Sequence, residues 1–150
     1  LPGRAQDAGV PLIAVNDVQL YYESHGSGAP LVVLGALGLD VSEMGKLTGP
    51  LAERFRVITV DNPRHGPLGQ ASRAVSIEQM AADVAGLMDR LHLSRAHLAG
   101  VSLGGRIAMA LALDWPERVD RLVLMLQHLA PLLTQHRRLV SEIGAFLAAG

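Results

Sequence analysis

The sequence contains no cysteine among its 150 residues. This absence excludes disulfide bonds, thiolate metal sites and a cysteine nucleophile together, so packing alone must stabilise the fold. A strong charge of either sign is also missing, because 13 Lys and Arg residues nearly balance 14 Asp and Glu residues and leave a net charge of −1. The basic residues are scattered along the chain, and we therefore expect no nucleic-acid partner and no anionic membrane partner.

Long apolar runs are missing as well, and none approaches the length needed to span a bilayer. The first residues, Leu1 to Asp7, have neither a charged n-region nor an apolar h-region, so they do not resemble a signal peptide. We predict a cytoplasmic protein, with a periplasmic protein whose signal peptide has been removed as the alternative. Hydrophobic residues make up 49% of the sequence and charged residues 18%, which is typical of one compact domain with a sizeable core.

Segments with strand and helix periodicity alternate along the chain, without an internal repeat or a low-complexity linker. The predicted strands are Val18 to Ser24, Leu31 to Leu34, Val57 to Val60, Ala96 to Ala99 and Leu122 to Leu126. The predicted helices are Ile77 to Leu91 after the capping-box residues Ser76 and Gln79, Leu103 to Leu113 before Trp115-Pro116, and about Leu132 to Ala149. This alternation predicts an α/β domain with a mostly parallel sheet, flanking helices and right-handed connections.

One glycine-flanked serine stands between a predicted strand and a predicted helix. The segment Gly100-Val101-Ser102-Leu103-Gly104 follows the buried strand Ala96 to Ala99 and opens the next helix. This is the setting of a nucleophile elbow, in which glycines allow a strained turn to approach its neighbours closely. The turn would lift the Ser102 hydroxyl to the carboxyl edge of the sheet and place the Leu103 N–H where it can donate to an oxyanion. The alternative is a serine that caps an ordinary glycine-rich turn.

Two segments resemble the α/β-hydrolase fold family, within a likeness that extends from about Val15 to Met125. Ala96 to Gly105 is similar to the family's nucleophile segment, and Trp115 to Leu124 is similar to its turn into the sixth strand, where Pro-Glu-Arg-Val recurs. The resemblance implies an α/β-hydrolase fold that is truncated after the sixth strand and the first helix of the cap. Residues 1–150 would form the N-terminal portion of the core, with the cap starting at about residue 130.

Two further family segments are present in altered form. Family members usually carry His-Gly-x-Gly after the third strand, and the ungapped match places Gly35 and Ala36 at its first two positions. By that match, the resemblance implies that Leu37 provides the second oxyanion N–H. The segment Asp61 to Leu68 resembles Asp-x-Arg-Gly-His-Gly-x-Ser, but Pro63 and Arg64 replace Arg and Gly. We expect this loop to follow a different path from the usual one.

Residues that could complete a catalytic triad are hard to find after Ser102, although the family's chain order requires the acid and then the histidine there. The opposite sheet edge should contain Asp114, Glu117 and Asp120. The solvated face of the last predicted helix should contain Glu142. His136 belongs to the same helix, and His65 matches a position that is usually structural. His128 follows the last predicted strand and is either a base or an ordinary polar residue. We expect the acid and the histidine to lie outside this chain.

The resulting hypothesis is a serine hydrolase that cleaves an ester, lactone or thioester through an acyl-enzyme on Ser102, with no cofactor and no metal. Its activity would depend on a C-terminal part or a second chain that supplies the missing groups. The alternative is a non-catalytic binding or assembly module descended from the same fold, and a carbon–carbon bond hydrolase or haloperoxidase-like member is a third interpretation. Because Leu122 to Leu126 would be an open edge strand, we also expect self-association or a missing partner segment.

Overall fold

The computed structural model describes residues 12–36, 41–61 and 76–125. Six strands in these ranges form one sheet in the order β1-β2-β4-β3-β5-β6. The strands are β1 Leu12–Val15, β2 Val18–His25, β3 Ala29–Leu34, β4 Phe55–Val60, β5 Ala96–Val101 and β6 Val119–Met125. The β3, β4, β5 and β6 pairings are parallel, whereas β2 is antiparallel to both β1 and β4. The predicted α/β class with a mostly parallel sheet is therefore confirmed.

The described helices alternate with these strands. They are α1 Val41–Thr48, α2 Ile77–Arg90 and α3 Leu103–Asp114, with short 3-10 turns at Gly49–Glu53 and Pro116–Arg118. Helix α2 begins as predicted, because the Ser76 side chain accepts a hydrogen bond from the Gln79 backbone N–H at 3.1 Å. None of the helices in the described ranges is long and apolar enough to cross a membrane.

The predicted strands and the first two predicted helices are present, and most of them extend further than expected. Sequence reasoning missed β1 and α1. Strand β1 has 4 residues, and α1 has only 8 residues with Gly45 in its interior. The predicted helix from Leu132 to Ala149, the start of the cap and the loop after Asn62 lie outside the described residues.

The core occupies both faces of the sheet. On one face, α2 and α3 cover a cluster that includes Val32, Ile58, Leu98, Leu87 and Leu111. On the other face, a smaller cluster is covered by Met44 of α1 and contains Leu31, Val33, Val57 and Ala99. Strands β3, β4 and β5 are therefore buried on both sides, as their apolar runs predict.

A buried polar contact joins the β1–β2 turn to α2. The Asp83 carboxylate is 1% exposed and accepts hydrogen bonds from Asn16 Nδ2 at 2.7 Å and from Gln79 Nε2 at 3.3 Å. Burial raises the pKa of the Asp83 carboxyl, and the two amide hydrogen bonds partly oppose that rise. At Gly86 the turn approaches so closely that an added Cβ would lie 2.5 Å from Val15 Cγ1. This contact lets α2 dock against the β1–β2 hairpin.

Candidate active site

The carboxyl ends of three neighbouring parallel strands meet at one edge of the sheet. Gly35 follows β3, Asp61 follows β4 and Ser102 follows β5. The register places Leu34 beside both Val60 and Gly100. Residues just beyond these strands are therefore neighbours in space, at the edge where open α/β sheets bind their ligands.

Ser102 has the backbone geometry of a strained turn. Its φ is 51° and its ψ is −110°, a combination outside the left-handed helical region that Asn and Asp tolerate. Such outliers cost free energy and cluster at functional sites. The residue is exposed, and its side chain makes no capping hydrogen bond to α3. The interpretation of Ser102 as an ordinary N-cap serine is therefore not supported.

The two elbow glycines lie where side chains would not fit. An added Cβ at Gly100 would overlap the Gly104 backbone, and one at Gly104 would overlap the carbonyl of Leu34. The Gly104 N–H donates to the Gly35 carbonyl at 3.1 Å. The glycine spacing thus lets the start of α3 contact the end of β3 directly, at Leu34 and Gly35.

Hydrogen bonds fix the backbone of the elbow on both sides. The Ser102 N–H donates to the Met125 carbonyl at the end of β6 at 2.9 Å, and the Ser102 carbonyl accepts from the Arg106 N–H at 3.2 Å. Leu103 is the first residue of α3, where backbone N–H groups have no partner within the helix. The Leu103 N–H is therefore at a helix N-terminus beside the serine, a position suited to an anionic oxygen.

The other predicted site residues fall into two groups. Asp114, Glu117 and Asp120 lie at the amino edge, as expected, where Asp120 pairs with Arg95 at 2.9 Å. Residues outside the described ranges are Leu37, His65, His128, His136 and Glu142. Within residues 12–36, 41–61 and 76–125, no group of three His, Asp or Glu residues is arranged to hold a metal ion.

His97 lies within β5 and not at the carboxyl edge. Its ring packs edge-to-face against Phe55, with ring centroids 5.7 Å apart, and its buried Nδ1 has no hydrogen-bond partner. His97 therefore does not contribute to the Ser102 site.

Asp61 is a site-edge residue whose role sequence reasoning missed. Its carboxylate is 7% exposed, and its Oδ1 accepts a hydrogen bond from the Val41 N–H at 2.7 Å. The available signal was an acidic residue directly after a buried strand, at the same edge as the serine. Because the bond joins residues that are 20 positions apart, no local pattern indicates its partner.

Comparison with known proteins places this geometry in a family. Residues 30–140 match the model of a family described as the alpha/beta hydrolase fold. A curated protein of Azorhizobium caulinodans, provisionally assigned as the carbamate hydrolase RutD, is 36% identical over 116 residues, which cover 77% of this chain and 44% of the relative. The 2-hydroxy-6-oxononadienedioate/2-hydroxy-6-oxononatrienedioate hydrolase 1 of Pseudomonas putida is 36% identical over 117 residues, 73% of this chain and 40% of the relative.

A solved structure also matches this chain in fold and in sequence. The enol-lactonase from Burkholderia xenovorans LB400 aligns with a TM-score of 0.70 and 35% identity, over 75% of this chain and 45% of the lactonase. The chain spans less than half the length of the curated relatives it matches. The match therefore concerns only a part of each of these proteins.

Proposed function

Because the chain belongs to the α/β-hydrolase fold family, we propose that it is a serine hydrolase that cleaves an ester, lactone or thioester of a small carboxylic acid. The observation that carries the proposal is the strained backbone of Ser102, at φ 51° and ψ −110°, between β5 and α3. A strained, exposed serine at a strand–helix turn is the arrangement that presents a nucleophile. Relatives named as hydrolases, including an enol-lactonase, support this reaction class.

The proposed reaction proceeds through an acyl-enzyme. Ser102 Oγ attacks the acyl carbon, the carbonyl π electrons move onto its oxygen, and the N–H groups of Leu103 and Leu37 hold that oxyanion. Collapse of the tetrahedral intermediate breaks the bond between the acyl carbon and the leaving oxygen or sulfur and leaves the acyl group on Oγ. The proton removed from Ser102 passes to the leaving group, which becomes the alcohol or thiol. Water then attacks the acyl-enzyme, releases the acid and restores Ser102. The reaction as proposed uses no metal and no cofactor.

A base must take the Ser102 proton, because a serine hydroxyl is a weak nucleophile at neutral pH. We propose that the acid and the histidine of the triad lie outside residues 1–150, on a C-terminal part or on a second chain. The limited span of the chain relative to its curated relatives supports this proposal. The opposite-edge position of Asp114, Glu117 and Asp120 supports it too.

A fluorophosphonate probe tests the assignment of the nucleophile. In the full-length protein we expect covalent labelling of Ser102, detected by peptide mass spectrometry, together with turnover of p-nitrophenyl acetate. Ser102→Ala should lose both, whereas Ser94→Ala should lose neither, because Ser94 is an exposed serine at the amino edge. Labelling of Ser42 or Ser141 instead would contradict the assignment of Ser102. Turnover no greater than that of Ser102→Ala would favour the non-catalytic binding or assembly module.

Self-association is the second part of the proposal. Strand β6 ends the strand order of the described sheet, and Val123 and Met125 on it are 53% and 42% exposed. Open strand edges with apolar side chains favour pairing with another strand. We propose that a second copy or a further segment covers β6. Light scattering of residues 1–150 at micromolar concentration should show a mass above that of the monomer, and a stable monomer would contradict self-association.

A further inference from the structure

We propose that Asp83 forms a pH-sensitive clasp between α2 and the β1–β2 hairpin, and that the hairpin docks more tightly when this carboxylate takes up a proton. The inference goes beyond the proposed function, because it uses no residue of the Ser102 site. The parts of the clasp are Asp83 and Gln79 on α2, together with Asn16 and Asp17 in the turn between β1 and β2.

One face of α2 docks against the hairpin. Gln79, Asp83 and Gly86 are spaced four and three residues apart, so they lie on the same face of the helix. Asp83 Oδ1 accepts a hydrogen bond from Asn16 Nδ2 at 2.7 Å and another from Gln79 Nε2 at 3.3 Å. At Gly86 an added Cβ would lie 2.5 Å from Val15 Cγ1. The carboxyl group therefore lies at the contact between helix and hairpin.

The turn of the hairpin fixes the donor that reaches α2. Val15 pairs with Val18, so Asn16 and Asp17 alone make the turn. Asn16 has a φ of 50°, in the left-handed region that Asn tolerates better than most residues. Its side-chain amide thus projects from a position set by the hairpin. The hairpin cannot move away from α2 without losing the bond to Asp83.

The ionised carboxylate of Asp83 is incompletely stabilised in this contact. It is 1% exposed, and its two hydrogen bonds come from neutral amides. The ion pairs of residues 12–36, 41–61 and 76–125 do not involve it. Burial disfavours a charge unless a cation or enough hydrogen bonds compensate for it. Because both bonds reach Oδ1, neither compensates for the negative charge that Oδ2 shares.

The charges around Asp83 add to this effect. Strand β1 has no charged residue, and Asp17 is the charged residue of the turn. The other charged residues of α2 and of α3, which packs against it, are Glu78, Asp89, Arg90, Arg106 and Asp114. Burial raises the pKa of the Asp83 carboxyl, the two amide bonds lower it, and the negative charge of Asp17 raises it, so the pKa lies above its ordinary value of 3.8.

A proton on Oδ2 would neutralise the group and leave both hydrogen bonds in place. The proton comes from water, the carboxylate becomes a carboxylic acid, and Oδ1 remains the carbonyl oxygen that accepts from the two amides. The docked form therefore binds this proton more tightly than the undocked form, in which Asp83 is hydrated. By linkage, docking strengthens as the pH falls through the raised pKa toward 3.8 and weakens as the pH rises.

The test uses the absence of cysteine from residues 1–150. Val15→Cys places a thiol at a position that is 3% exposed and lies against Gly86, so the thiol reacts when the hairpin leaves α2. The reagent is a dithiodipyridine, which modifies thiols in acid as well as at neutral pH. In the full-length protein, modification of this position is followed by peptide mass spectrometry. Its rate, divided by the rate in denaturant at the same pH, measures the undocked fraction.

The undocked fraction should depend on pH through Asp83. Between about pH 7 and about pH 5 it should fall with the pH, by at most about tenfold per pH unit, which is the limit for one proton. Asp83→Asn keeps an oxygen that can accept from Asn16 but cannot take up the proton, so its undocked fraction should not fall. A rise of the undocked fraction in acid, or the same fall in Asp83→Asn, would overturn the inference.

A thiol at Val119 is the matched control. This valine is 1% exposed and belongs to the same core cluster as Val15, but it lies on β6. In Val119→Cys the pH dependence of modification should be the same with Asp83 and with Asp83→Asn. An equal Asp83-dependent change at both positions would overturn the local clasp, because the proton would then act on the whole fold.

A titration of the unaltered protein covers the case in which Asp83→Asn does not fold. Carbon NMR of the Asp83 carboxyl should give a titration midpoint above 3.8. The Asn16 side-chain amide protons should remain protected from exchange below that midpoint, because their bond to Oδ1 survives protonation. A midpoint at or below 3.8, or loss of this protection as Asp83 becomes protonated, would overturn the inference.

Discussion

The two edges of the parallel sheet are built in opposite ways. At the carboxyl edge, Ser102 is held at an unfavourable backbone conformation and Gly104 leaves no room for a side chain. At the amino edge, the Arg118 guanidinium donates hydrogen bonds to the Ser94 carbonyl at 3.0 Å, the Leu93 carbonyl at 3.0 Å and Asp89 Oδ1 at 2.7 Å. A strained serine backbone thus distinguishes the carboxyl edge, whereas one arginine side chain links three groups at the amino edge.

The amino edge contains a cavity, but the serine that lines it does not have the strained backbone of Ser102. Asp89, His92, Leu93, Ser94 and Arg118 line it, and Arg118 uses its donors on the lining itself. His92 has a φ of 56°, but it follows the C-cap of α2, where left-handed residues ordinarily end helices. A pocket or a positive φ is therefore not enough to indicate a site. The elbow differs because its strained residue is the exposed Ser102, which we propose as the nucleophile.

The largest expected effect comes from filling the close contact at the carboxyl edge. Gly104→Ala should lower the free energy of unfolding by about 3 kcal/mol, because the new methyl group overlaps the Leu34 carbonyl. Gly45→Ala is the control, since no atom lies within 4 Å of the added Cβ in α1, and it should raise the free energy by roughly 0.5–1 kcal/mol. Urea titration measures both. A tolerated Gly104→Ala would show that the elbow can move away from β3.

An intermediate effect is expected at the amino edge. Arg118→Ala should lower the free energy of unfolding by about 2 kcal/mol, because it removes the hydrogen bonds to the Ser94 carbonyl, the Leu93 carbonyl and Asp89. Fluorophosphonate labelling of Ser102 should not change. Arg95→Ala removes a more exposed ion pair with Asp120 and should cost less than about 1 kcal/mol. Loss of labelling in folded Arg118→Ala would contradict the separation between the two edges.

The smallest expected effect measures the strain at Ser102 itself. Ser102→Gly should be more stable than Ser102→Ala by about 1 kcal/mol, because glycine adopts a φ of 51° and a ψ of −110° without steric cost. Both variants lack the hydroxyl and should be inactive. Thermal unfolding of the two proteins gives the difference. Equal stabilities would mean that the turn is not strained in the way its dihedral angles indicate.

Sequence reasoning found the elements that carry strong local signals. The apolar runs around Val32, Ile58 and Leu98 indicated buried strands, and the Gly100 and Gly104 spacing indicated the elbow. Helix α1 was missed because its stability depends on tertiary contacts, namely Met44 in the core and Asp61 at its first residue. Strand β1 was missed because it has only 4 residues, although the two-residue turn at Asn16 was visible in the sequence.

The site was only partly predictable for the same reason. Ser102 and Leu103 belong to a contiguous motif, whereas the hydrogen bond between Asp61 and Val41 joins residues 20 positions apart. Register also mattered: only the pairing of Leu34 with Val60 shows that Gly35 and Asp61 follow adjacent strand ends. Non-local contacts of this kind follow from the assembled sheet and not from any local pattern.

The hydrogen bonds of the elbow also constrain the order in which the chain folds. The Ser102 N–H needs the Met125 carbonyl, and the Gly104 N–H needs the Gly35 carbonyl, far earlier in the chain. Contacts between distant positions pay a loop-closure entropy before they gain stability, and they form slowly. During synthesis the turn cannot be completed until β6 has emerged from the ribosome. We therefore expect low φ-values at the elbow and late protection of its amides in pulse-labelled refolding.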